Sequence, residues 1–174
     1  MSTAWTLRTG TAEDLDLLGP LWVAVHHRHE ESMPELAPYV SDAETWRARR
    51  KLYEELLAKP DTLLLVALVD GEPVGYGLAH LFAVEDTWIE DTWTTGDRIG
   101  EIESLSVLPQ YRSSGLGSQL LERLEDHLHE RGVDDLILGA LAGNADAIRL
   151  YERRGYQPTW LYLSKFAGRG RSNR

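Results

Sequence analysis

The apolar positions of this chain change period several times, and each change marks an element. From Thr11 onward Leu15, Leu18, Trp22 and Val25 recur at helical spacing, with Thr11 and Asp14 forming a short-armed capping box. The pattern fails at the polar run His26-His27-Arg28-His29-Glu30-Glu31, and Pro34 and Pro38 mark a loop. Ser41 with Glu44 is a fuller capping box and predicts a second helix to about Lys59, stopped by Pro60. Thr62 to Val69 is a short unbroken apolar run, as expected of a strand buried on both faces. Asp70-Gly71 signals a hairpin. The returning strand, Val74 to Val84, puts Gly75, Gly77, Ala79 and Ala83 on a small face and Val74, Tyr76, Leu78 and Phe82 on a bulky one.

Period two returns at Glu101, with Ile102 on one face and Glu101, Glu103, Leu105 and Val107 on the other. Pro109 ends that strand, because it has no N–H for the ladder. A tight segment from Arg112 to Gly117 then opens a helix striped by Leu116, Leu120, Leu121, Leu124 and Leu128, and Gly132 closes it. Leu136 to Leu141 reads as a buried strand. Asn144 caps a short helix that ends in Arg153-Arg154-Gly155, and Trp160 to Phe166 reads as a last strand. The insert from Glu85 to Arg98 reads as an extended hairpin tip. The order is β-α-α-β-β-β-α-β-α-β, a mixed α/β (α+β) chain.

Composition narrows the function. At 174 residues, with 43% hydrophobic and 26% charged, the chain is expected to form one domain over residues 1–167, followed by a loose basic tail, 168–174. No apolar run approaches the ~20 residues that span a bilayer. The N-terminus lacks the apolar core of a secretory signal, so a cytoplasmic protein without membrane partners is expected. With no cysteine, disulfides, thiolate metal sites and cysteine nucleophiles are excluded. A net charge of −10 argues against a nucleic-acid partner. Seven acidic residues (Glu85, Asp86, Glu90, Asp91, Asp97, Glu101, Glu103) face only Arg98 within one block. Such a block is either a solvated loop or, with Trp88 and Trp93, a mouth for a cationic substrate.

Strand, glycine-bearing turn and helix N-terminus in sequence make an anion site, where unpaired amides and the helix dipole converge. A dinucleotide-binding G-x-G-x-x-G fails because Leu120 occupies the third glycine position, and a P-loop fails for want of Gly-Lys-Ser/Thr. The segment Val107-Leu108-Pro109-Gln110-Tyr111-Arg112-Ser113-Ser114-Gly115-Leu116-Gly117 resembles the acyl-CoA signature of the GNAT N-acetyltransferase superfamily, matched at Arg112, Gly115 and Gly117. The segment Asn144 to Tyr156 resembles the family's N-x-x-A-x-x-L-Y-x-x-x-G-F/Y element. The resemblance covers roughly residues 5–166.

The resemblance implies the GNAT fold: a mixed sheet of six to seven strands, splayed between the fourth and fifth, with about four helices. It implies acetyl-CoA as co-substrate and an amine acceptor. Amides from Ser113, Ser114, Gly115, Leu116, Gly117 and Ser118 would hold the pyrophosphate, with Arg112 adding charge. Main-chain groups of Leu105, Ser106 and Val107 would meet the pantetheine arm, and the Leu105 N–H would polarise the thioester carbonyl. An amine with a pKa near ~10 needs a base; Glu103 is the first candidate and Glu101 the second. Tyr151 resembles the family's general acid, the alternative being a core tyrosine on the Ile148 face. Asn144 resembles a pantetheine contact as well as a cap.

With no cysteine, direct transfer in a ternary complex is expected. His26 and His29 fall where this family's substrate wall begins, His80 is a candidate base behind the carboxylates, and His127 and His129 are expected to be exposed. The histidine spacing is not a closed metal set, so no metal is expected. The acceptor, whether polyamine, aminoglycoside, lysine or peptide N-terminus, stays open. So do a monomer or a homodimer, and an acyl-CoA-binding regulator without turnover.

Overall fold

Residues 4–85 and 87–166 are described in the computed structural model. Strand β1 (Thr6–Thr9) leads through a 3-10 turn capped by Thr11 into helix α1 (Leu15–Ser32). Helix α2 (Asp42–Leu57) starts at the Ser41–Glu44 capping box. Strands β2 (Leu63–Val69), β3 (Glu72–Ala83) and β4 (Arg98–Val107) follow, then α3 (Leu116–His129), β5 (Leu136–Leu138) and α4 (Ala145–Arg153). The five strands form one sheet in chain order, antiparallel from β1 to β4, with β5 parallel to β4. Asp70 and Gly71 both take positive φ, 51° and 85°, as a two-residue hairpin turn requires.

The sheet is buried on both sides. Leu65, Ala67 and Ala79 meet the leucine stripe of α3, whereas Leu64, Val66, Tyr76 and Leu78 meet Leu15, Leu18 and Leu21 of α1 and Tyr53 and Leu56 of α2. Gly77 makes room for α3: a Cβ there would lie 2.7 Å from the Leu124 side chain.

One irregularity decides the functional face. The β3–β4 register pairs Leu78 with Ser104 but Ala79 with Ile102, leaving Glu103 as the extra residue of a β-bulge. Ile102, Leu105 and Val107 therefore all pack toward α3. Ser104 bonds to Tyr53 on α2, and Ser106 donates to the Leu21 carbonyl of α1. The expected sharing of one face by Glu103, Leu105 and Val107 is corrected: the bulge flips the alternation and turns Glu103 toward α2. Glu101 and Glu103 do share a side, since His80 lies against both.

Other expectations also change. Helix α1 does not fail at His26 but runs on to Ser32. Its polar run meets fixed partners, His26 on the Val40 carbonyl and Arg28 on Asp146, which apolar periodicity does not register. The insert is a succession of turns rather than a hairpin tip. Ile89 pins it by packing with Val84 and Ile99. Asp86 and the 168–174 tail lie outside the described residues.

The predicted strand Trp160–Phe166 is not in the sheet, and β5 stops at Leu138, so the strand count is five rather than six or seven. Only Gly100, Glu101 and Ile102 pair with β5, and β4 continues to Val107 without it. A β5 of three residues is a short template for a sixth strand.

Tyr53 ties α2 to the bulge. Its hydroxyl donates to Ser104 Oγ at 2.5 Å and lies 2.9 Å from the Tyr76 hydroxyl, all buried, and burial pushes its pKa up to about 12. Tyr53→Phe leaves two buried hydroxyls short of a partner, and urea denaturation should show a loss of about 1–3 kcal/mol.

Candidate active site

Where β4 outruns β5 the sheet opens, and a cavity of about 440 Å³ lies in the gap. Its floor is the β4 end, Leu105 to Val107, and one wall is the turn from Arg112 to Ser118. Ser113 and Gly115 take left-handed φ, 59° and 96°, which a β-carbon opposes; glycine meets that requirement at the helix cap. No atom lies within 4 Å of where a Gly115 Cβ would be, so the backbone at the start of α3 can be approached closely there. Ser114 Oγ donates to the Tyr111 carbonyl at 2.6 Å and holds the turn. Arg112 Nε donates to the Val107 carbonyl at 3.1 Å, which fixes its guanidinium at the rim. Amides, a helix N-terminus and a tethered arginine form a cradle suited to a pyrophosphate. The Ser106 side chain turns away to α1, so only its backbone serves this cavity.

Helix α4 is the opposite wall. Asn144 caps it, its Oδ1 accepting from the Ala147 amide at 3.4 Å, and it also lines the cavity. Tyr151 stands one turn from Ala147 on the same lining, packed edge-on to Tyr156 at 6.1 Å; burial raises the pKa of its phenol, so it holds its proton at neutral pH. Sequence reasoning missed Arg28, Arg149 and Arg153 here. The i, i+4 spacing of Arg149 and Arg153 was a signal for one basic helix face. The approach of Arg28, whose Nη2 lies 2.7 Å from Asp146 Oδ2, was not readable. Close by, the Gly143 backbone presses on the Ser32 carbonyl, so α1 and α4 together bridge the cleft.

On the other side of the sheet the two carboxylates meet two cations. Glu103 is bound by Arg49 of α2 and lies 3.8 Å from His80 Nε2; Glu101 lies 3.4 Å from the same nitrogen. Their side chains are 15% and 31% exposed, so Glu101 is the more open of the pair. Burial lowers the pKa of His80, but hydrogen bonding and charge from Glu101 and Glu103 outweigh it and raise it to about 9. Its Nδ1 is buried without a partner among the described residues, which opposes the charged form. The Arg49 guanidinium stacks 4.0 Å over Trp22.

The oxygens of Glu101 and Glu103 and the His80 nitrogen lie within 4.8 Å of one another, a spacing three metal ligands could adopt. A proton on His80 and the Arg49 guanidinium already supply positive charge there, and a nitrogen holding that proton cannot ligate.

The other acceptor candidates have partners of their own, and His29 borders the Trp22–Arg49 stack. His26 is buried and its Nε2 lies 2.9 Å from the Val40 carbonyl, fastening the α1–α2 loop. His29 packs edge-on to Trp22 at 6.1 Å, and burial lowers its pKa. Trp88 joins Trp93 and Trp160, at 5.3 and 5.0 Å, in an aromatic cluster. His127, expected to be exposed, is half-buried 3.3 Å from the Asp61 carbonyl.

Residues 22–156 match the family model described as Acetyltransferase (GNAT) family. The chain is 32% identical over 122 residues to the IAA acetyltransferase of Azospirillum brasilense, covering 70% of this chain and 72% of that one. It is 46% identical over 65 residues to the ribosomal protein bS18 alanine N-acetyltransferase of Escherichia coli K12, covering 32% of this chain and 44% of the relative. A crystal structure of a GCN5-related N-acetyltransferase from Ralstonia eutropha JMP134 shares the fold, with a TM-score of 0.69 at 23% identity over 95% of this chain and all of that one. The extent of the family match and the first of these relatives together establish the conclusion: this chain belongs to the GNAT family of acetyltransferases.

Proposed function

We propose that the protein transfers acetyl from acetyl-CoA directly to a primary amine, both held at once. The observation that carries this reading is the gap where β4 leaves β5: the α3 amide cradle, Leu105 and Tyr151 line a single cavity there, and Glu103 lies two residues up the same strand with its side chain on the opposite face. The cradle fits a CoA pyrophosphate, and β4 beyond Ile102 has edge groups for the pantetheine arm. Acetyl-CoA supplies the thioester carbon that the amine nitrogen attacks.

Each residue then has one task. Glu103 takes the amine proton, with Glu101 beside it as the alternative base. The Leu105 N–H donates to the thioester oxygen. Tyr151, a neutral phenol whose pKa burial raises further, gives its proton to the departing sulfur. His80 keeps Glu101 and Glu103 together on one side of β4. The relative that modifies the alanine terminus of bS18 favours a second reading, a peptide N-terminus as acceptor. A regulator that binds acyl-CoA without turnover is distinguished by the same assay.

Thiol release from acetyl-CoA over a panel of amines tests the reaction. Tyr151→Phe and Glu103→Gln should each lower kcat by roughly 100-fold or more, the range of a lost general acid or base. CoA binding without turnover on any amine would favour the regulator. Absence of CoA binding would overturn both readings.

The His80 ring should titrate near pH 9 by NMR and move toward 6.5 in Glu101→Gln. Because its folded pKa is raised, its stabilising contribution is full below about pH 6.5 and lost as pH rises through about 9. Thermal melts of wild type and Glu101→Gln should therefore converge across that window.

A further inference from the structure

The charge pattern around the candidate base bears on what the acceptor carries besides its amine, an inference that rests on the transferase reading above. Glu101 and Glu103 were read from sequence as an anionic mouth for a cationic acceptor. In the fold they do not stand alone. Arg49 binds Glu103, and His80 lies against both carboxylates. Two negative groups facing two basic ones leave little net field to draw in a polyamine.

Arg49 is the unexpected member. Its ring-like face is taken by Trp22 at 4.0 Å, with Tyr53 at 5.7 Å, so its hydrogen-bonding edge must point across the stack. Of the five N–H groups on that edge, Nη1 donates to Glu103 Oε1, and the other nitrogens have no recorded acceptor among the described residues. The Arg49 side chain is 24% exposed. An arginine with a free planar edge is suited to a carboxylate or phosphonate, which it can hold with two parallel bonds. Beside it, Glu101 has no arginine or lysine partner among the described residues and is the more exposed carboxylate.

We infer that the acceptor is dipolar: a small primary amine bearing a carboxylate or phosphonate one or two carbons away. Its anionic group takes the free edge of Arg49, and its amine lies between Glu101 and Glu103. A short spacing follows from the contact itself, because Arg49 touches the carboxylate proposed as base. A long diamine offers no oxygen acceptor to Arg49, and an aminoglycoside offers only neutral oxygens in place of an anion.

Matched pairs test this. Alanine and 1-aminoethylphosphonate are each compared with ethylamine, and spermidine serves as the cationic control. Two readouts are used: kcat/KM with acetyl-CoA, and calorimetric binding with CoA present. The dipolar member should be favoured by about 10- to 100-fold in both, the range of a charge-assisted hydrogen bond. Arg49→Gln should collapse that ratio, and Arg49→Lys should keep part of it; if Gln fails to fold, Lys alone carries the comparison. Were Arg49 only a counter-ion for Glu103, its replacement would shift both members of a pair alike and leave the ratio unchanged. An unchanged ratio, or equal or tighter binding of ethylamine or spermidine, overturns the inference. Discrimination in binding with no turnover on any amine would instead remove the transferase reading and leave the dipolar site standing.

Discussion

One extra residue in β4 sets the chemistry of this molecule. Without the bulge, strict alternation would send Glu103 to the side of Leu105 and Val107, against the apolar stripe of α3. A carboxylate there would sit in a leucine cluster with no partner, at a cost of several kcal/mol or a neutralised group. With the bulge, it reaches Arg49 and His80 across the sheet. The same offset turns Ser104 and Ser106 to α2 and α1, where their hydroxyls pin the strand to both helices. The bulge thus separates the work of one strand. Its α3 face packs, its other face carries charge, and its free edge beyond Ile102 borders the cleft.

The cleft has an equally simple origin. Strands β4 and β5 share three residue pairs and then part, and α4 and the turn before α3 line the gap at that end. Small residues elsewhere allow the helices to close on the sheet. Gly77 admits Leu124, and Gly100 lies under Leu128 and Leu136. β4 and β5 are therefore joined as far as Ile102 and open beyond it, and the boundary falls beside the two carboxylates.

Much of this was legible in the chain. The element order from β1 through α4, both capping boxes, the Asp70-Gly71 hairpin and the cradle all carry local signals: turn chemistry, side-chain caps and period. What was not legible is non-local. A bulge appears only when a partner strand fixes the register, so the same-face reading of Glu103 and Leu105 followed from period two and was overruled by β3. Arg49 lies on a polar helix among other cations, Arg47, Arg50 and Lys51, and nothing in its neighbours marks it as the one that meets Glu103. The run from His26 to Glu31 looked like a helix end because polar partners on α4 and the next loop leave no apolar trace. The segment after Tyr156 has the aromatic and apolar content of a strand, yet β5 offers only a three-residue edge beside it in the sheet order.

That last mismatch bears on how the protein behaves among its own copies. Among the described residues, the outer edge of β5 has no strand beside it, while Leu161, Tyr162 and Leu163 are exposed. A bare strand edge is a template on which another backbone can add, and exposed apolar side chains add to its reach. The opposing influence is the charge of −10, spread over every molecule and felt across a Debye length of about 8 Å at physiological salt. Colloidal stability here is a contest between a short strand edge and a long-range repulsion. Salt weakens only the second.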